Sequence, residues 1–218
     1  MGYNHSLFQR MHAWIELFAK REDLTFYTMS DDLAGPGLEL TLGAPRDLAA
    51  SFPEDARAFA ASADRFMFSY REKEGGAASA SGFLFLTLEA CNEEAYLLLD
   101  GEQVDPSTMY LLDSDVLGTG FAAWYIRAES PFIVWDVETC ARFSSLTEYL
   151  TEGARRAFAY NPCWQTRAGE APLQRRSRPR TTPLPELRAL LVQRGAEPTM
   201  ADDLIEWLGA DISLLLPA

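Results

Sequence analysis

Apolar residues near the start of the chain recur at a three-to-four spacing. Leu7, Met11, Trp14, Ile15 and Phe18 fall on one side of a helix over about 4–20. The alternation Leu38, Leu40, Leu42 reads as a half-buried strand entered from the turn Gly35-Pro36-Gly37. A second helix is expected from Ser51 toward Asp64. The S-x-x-E spacing of Ser51 and Glu54 lets a hydroxyl and a carboxylate cap the free amides of its first turn, and Pro53 is tolerated that early. Phe66, Phe68 and Tyr70 suggest another strand, followed by a loop of glycine and small residues at 72–82. Apolar runs then crowd together: GFLFLTL from Gly82, YLLLD from Tyr96 with helix as its rival, MYLL from Met109, FAAWYI from Phe121 and FIVWDV from Phe132. Polar links as short as Gly101-Glu102 and Asp105-Pro106 imply antiparallel neighbours. A closing helix is expected at Ser145, capped through Glu148 and burying Leu146, Tyr149, Leu150 and Phe158. The expected class is α+β, an antiparallel sheet packed with helices, plus a short C-terminal helical hairpin.

The hairpin follows an abrupt change of composition. Residues 165–185 hold prolines around an arginine cluster without apolar periodicity, as a linker or exposed arm would. Residues 186–218 then carry two helical patterns, one stopped by Gly195 and one entered at Thr199, capped through Asp202 and stopped by Gly209. Leu187, Leu190, Leu191, Leu204, Ile205, Trp207 and Leu208 would form its apolar seam. So small a unit buries too little to fold alone and must dock, with the body at 1–164 as the expected partner. The expected division is therefore a domain at 1–164, a linker at 165–185 and a hairpin at 186–218.

Charge narrows the function. Over 1–166 there are 12 Lys and Arg against 25 Asp and Glu, and 12 − 25 = −13. Over 167–180 five arginines face one glutamate (+4), and over 181–218 two arginines face six acids (−4). A body of that sign does not suit phosphate neutralisation, which argues against nucleic acid as partner and for a basic protein. Without a basic-then-apolar leader or a long apolar run, the chain is expected to be cytoplasmic with no membrane association. Cys91, Cys140 and Cys163 are scattered, as structural thiols in a reducing compartment are.

Enzyme signatures fail on particular residues. The run MYLLDSDVLGTG has the aspartate pair of the haloacid-dehalogenase phosphotransferases, but Val116 replaces the glycine after the second aspartate. Both lysines, Lys20 and Lys73, precede the turn, whereas that chemistry needs one downstream. As a calcium loop, Asp113, Asp115 and Gly118 fit, yet Leu117 and Trp124 occupy the fifth and twelfth positions, so no metal is expected there. His5 and His12 lie seven apart, two helical turns, too far to chelate one ion. The chain has no G-x-S-x-G, H-E-x-x-H, Walker loop or G-x-G-x-x-G. No catalytic residues and no cofactor are expected, and the chain reads as a non-enzyme.

An early helix with Trp14 and Glu16, the segment LGAPRDLAASFPEDARAFAA, the acidic glycine-bearing turn in LLDSDVLGTG, and PFIVWDVETCARFSSLTEYL resemble, in that order, the SUKH superfamily of fungal cell-wall-synthesis regulators and bacterial toxin-immunity proteins. The resemblance spans about 42–150. It implies an immunity protein that binds and neutralises a cognate toxin, and the acidic body fits a basic toxin such as a nuclease. The candidate contact residues are Asp113, Asp115, Glu93, Glu94 and Asp100, with Trp124 and Tyr125 as aromatic anchors. The alternative is a non-catalytic regulatory or scaffold protein of the same fold.

Overall fold

A computed structural model describes residues 2–27, 47–62, 66–72, 81–90, 98–99, 102–114, 122–126, 132–136, 141–155, 157–158 and 182–216. Within them the helices are α1 (Leu7–Phe18), α2 (Glu54–Ala60), α3 (Leu146–Arg155), α4 (Leu184–Gln193) and α5 (Pro198–Leu208), followed by a 3₁₀ segment, Gly209–Leu215. The strands are β1 (Leu24–Tyr27), β2 (Phe66–Glu72), β3 (Ser81–Ala90), β4 (Leu98–Leu99), β5 (Glu102–Gln103), β6 (Met109–Ser114), β7 (Ala122–Ile126), β8 (Phe132–Asp136) and β9 (Ala141–Phe143). Seven of these strands pair antiparallel in the order β1-β2-β3-β6-β7-β8-β9, and β4 and β5 form a separate two-stranded ribbon.

The helices dominate the described core, which corrects the expected architecture. Among the side chains whose burial is described, the main buried cluster draws on α1, α2, α3, α4, α5 and the segments that flank them, together with Leu24 of β1 and Tyr70 of β2. The C-terminal helices pack on helices of the body. Leu187, Leu191, Leu204, Trp207, Leu208, Ile212, Leu214 and Leu215 sit in one cluster with Met11, Trp14, Ile15 and Phe18 of α1. Helix α1 touches α2, α5 and the terminal 3₁₀ segment, and α3 touches α5. The reason lies in the last residues. Gly209, at φ 57, stops α5, but the chain turns into a 3₁₀ segment that returns Ile212, Leu214 and Leu215 to the core, which an expectation ending at Gly209 does not contain.

The sheet meets this helical core through aromatic rings. Tyr70 of β2 packs edge-on against Phe18 at 4.9 Å and donates its hydroxyl to the Ala157 carbonyl at 2.7 Å. Tyr110 of β6 meets Phe52 at 4.7 Å, and Phe143 of β9 meets Tyr149 at 5.4 Å. Ala157 and Phe158 both take positive φ after α3, which folds the Phe158 ring back onto Gly153 and edge-on to Trp14 at 5.8 Å.

Several boundaries move for local reasons. Helix α1 begins at Leu7 rather than residue 4: the Gln9 amide donates to the Ser6 hydroxyl, the Gln9 side chain accepts from the Ser6 amide, and Asn4 and His5 are drawn away to α5. Helix α2 begins at Glu54 behind Pro53, not at a Ser51 cap, and ends at Ala60, because Phe52 buries itself in a turn closed by its amide to Ala49. At α3 the Glu148 amide donates to the Ser145 hydroxyl as expected, but the Glu148 carboxylate accepts from Ser144. Helix α5 is capped by Glu197, which accepts from the Thr199 and Met200 amides, while Asp202 pairs with Arg188. Strand β9 has no counterpart among the expected elements. The expected strand at Leu38–Leu42, the loop at 73–80, the linker through residue 181 and all three cysteines lie outside the described residues.

Candidate partner-binding surface

Two hollows flank α1 and meet at Phe8. The first, about 460 Å³, lies between α1 and the turn joining α4 to α5; Phe8, Ala13, Leu17, Ala196 and Met200 contribute its apolar lining, and His5, His12, Glu16, Lys20 and Glu197 its ionisable groups. The second, about 500 Å³, lies where the starts of α1, α2 and α3 converge; Leu7, Phe8, Ala58 and Phe59 form its apolar wall and Ser6, Glu54, Asp55 and Ser145 its polar side. The Phe8 and Phe59 rings stand edge to face at 5.6 Å in that wall.

Local chemistry fixes both walls. The turn in the first hollow is a glycine-closed helix end: Gly195 takes φ 95, its amide donates to Val192, and the Ala196 amide donates to Leu191. The Lys20 ammonium donates to the Arg194 carbonyl at 2.7 Å, tying the end of α1 to that turn. Asp55 joins the walls of the second hollow: one carboxylate oxygen accepts from the Ala56 amide, and the other accepts from the Thr147 amide and hydroxyl at 3.0 and 3.1 Å.

Behind the first hollow, a buried carboxylate anchors the chain's N-terminal segment. Asp203 is 2% exposed and accepts from the Asn4 amide and side chain at 3.2 and 3.0 Å and from the His5 amide at 2.8 Å, with His5 Nδ1 also at 2.8 Å. Burial pushes its pKa up, but the hydrogen bonds from His5 and Asn4 outweigh burial and hold it below the ordinary aspartate value. Arg10 lies close by, 5% exposed, over the Tyr3 ring at 3.6 Å and the Trp207 ring at 5.2 Å, and burial lowers its pKa against the pull of Tyr3, Asp203 and Glu206. His5 and His12 do line one hollow, but His5 precedes the helix and is engaged by Asp203, while His12 sits 3.7 Å from Glu16. Among the described residues no group of three or more His, Cys, Asp or Glu is placed to hold a metal ion, and no helix is long and apolar enough to cross a membrane.

The residues singled out from the sequence are elsewhere. Asp113 lies on β6, opposite Leu86 of β3 and Ala123 of β7, at an irregularity in the β6 pairing. Trp124 and Tyr125 occupy successive positions of the neighbouring β7, opposite Leu111 and Tyr110. Register thus brings these three to adjacent strands, whereas Asp115, Glu93, Glu94 and Asp100 lie outside the described residues. Sequence reading missed Phe8, Glu54, Ala58 and Ser145. Phe8 carried a signal, being a large aromatic on α1 beside the stripe that fills the core. Compared with protein families, curated proteins and solved structures, the chain matches none, so its geometry and charge carry the functional argument.

Proposed function

We propose that this protein is a non-catalytic immunity protein that binds and neutralises a basic protein toxin such as a nuclease. The observation that carries the reading is the distribution of charge. The sequence has a formal net charge of −13, and the charged residues buried among those described are two arginines, Arg10 and Arg21, against one acid, Asp203. Among the described residues burial thus withdraws one more positive charge than negative, and Glu16, Glu22, Glu54, Glu148 and Glu206 are exposed. An acidic surface can occupy a cleft built for phosphate, and its field raises the association rate. The SUKH resemblance supports the same reading.

Co-expression with the toxins encoded beside its gene tests it, with growth rescue as readout. For a rescuing pair, surface plasmon resonance should show an on-rate that falls as the Debye length shortens from ~30 Å at 0.01 M salt to ~10 Å at 0.1 M, with the off-rate changing less. Absence of both rescue and binding for every neighbouring toxin would overturn the immunity reading in favour of a regulatory or scaffold role.

A further inference from the structure

We infer that the hollow at the meeting of α1, α2 and α3 is a docking pocket for an arginine side chain of the basic partner. This deepens the reading above and rests on it for the partner's charge. The volume, about 500 Å³, falls within the roughly 300–1,000 Å³ typical of pockets that take a small group. Its chemistry has the two parts an arginine needs. Leu7, Ala58 and the edge-to-face pair Phe8 and Phe59 offer an apolar and aromatic wall. The methylene stem can lie along such a wall, and a guanidinium stacks on aromatic rings where an ammonium is held less well.

Acceptors complete the pocket. Glu54 is exposed at its edge. Asp55 is committed to Thr147, so it adds negative potential rather than an open oxygen. The Ser6 and Ser145 hydroxyls each accept one helix amide, from Gln9 and Glu148, and each keeps a lone pair. The starts of α1, α2 and α3 oppose a cation, but at about half a positive charge each they sum to about 1.5, below the two carboxylates of Glu54 and Asp55. The hollow therefore favours a cation over an anion. A guanidinium at Glu54 would lie beside Phe8, the residue shared with the first hollow along α1, so the flanking partner residues would run over Ala13 and Met200.

The test uses the full chain and two small probes, N-acetyl-arginine N-methylamide and its uncharged analogue built on citrulline, titrated at millimolar concentration and followed by amide NMR shifts. Saturable shifts clustered at Phe8, Glu54, Ala58 and Ser145 are expected with the arginine probe and not with citrulline. Glu54→Gln should weaken them by about two- to fivefold, the range an exposed ion pair supports. Ala58→Arg, at an exposed position of α2, should fill the hollow and abolish them without altering the circular dichroism spectrum. Equal responses to both probes, arginine shifts spread over the acidic surface, or an unchanged response in Ala58→Arg would each overturn the pocket. Toxin rescue is scored separately. A rescuing protein whose hollow ignores arginine refutes this inference alone, and loss of toxin binding on Glu93→Lys/Glu94→Lys but not on Glu54→Lys/Ala58→Arg would place the contact elsewhere.

Discussion

Replacing Asp203 by asparagine keeps the shape of the side chain and removes half its accepting capacity. In the folded protein the carboxylate receives two donors from Asn4 on one oxygen, and on the other the His5 amide with His5 Nδ1 beside it. An asparagine keeps one accepting oxygen and turns an NH2 toward donors on the other side, so about two charge-assisted hydrogen bonds are lost. Each such bond contributes about 1.5–3 kcal/mol, and water reaching the partly exposed His5 recovers part of it, so a loss of about 2–4 kcal/mol is expected at pH 7. The pH dependence has a definite sign. The folded-state pKa of Asp203 lies below its ordinary value, so its contribution is present above the unfolded pKa of about 3.9 and is lost as pH falls through the folded value. Urea denaturation of wild type and Asp203→Asn at pH 7, 5, 4 and 3 should show a gap that is constant from 7 to 5 and narrows below 4. A gap under about 0.5 kcal/mol at pH 7, or one that does not change with pH, would refute the anchoring role.

Two further outcomes follow from the packing. A β-carbon at Gly153 would overlap the Phe158 ring, so Gly153→Ala should cost about 1–3 kcal/mol by thermal melt, the usual range for overpacking, whereas exposed Ala58→Ser on α2 should be near neutral. Ending the chain after Thr166 removes Leu187, Leu191, Leu204, Trp207, Leu208, Ile212, Leu214 and Leu215 from the shared core. At about 1.5–3 kcal/mol per buried side chain the eight together contribute roughly 12–24 kcal/mol, as much as or more than a total stability of roughly 5–15 kcal/mol, so the shortened chain should show no cooperative melt. A sharp two-state transition in it would establish 1–164 as an independent domain.

What the sequence made legible is what short-range chemistry determines. Met11, Trp14, Ile15 and Phe18 announce the buried face of α1 because 3.6-residue spacing is written into the chain, and Leu146, Tyr149 and Leu150 do the same for α3. Gly209 announces the end of α5 because a positive φ is open to glycine at little cost. What stayed hidden depends on residues far apart. Nothing near Asn4 or His5 signals a carboxylate 199 and 198 positions away, so extending α1 over them is the natural local reading and their capture by Asp203 has to be seen in three dimensions. Glu54 likewise reads locally as the distal half of a cap on Ser51; once Pro53 starts the helix, its carboxylate stands at the edge of a hollow beside Phe8 and Ser145. The same error that misplaced the start of α2 therefore concealed the candidate pocket, since a residue assigned to satisfy its own helix is not available, on paper, to meet a partner. Capping motifs are degenerate where several polar residues precede a helix, as with Ser144, Ser145 and Glu148, and packing between helices decides which oxygen is used and which is left facing outward.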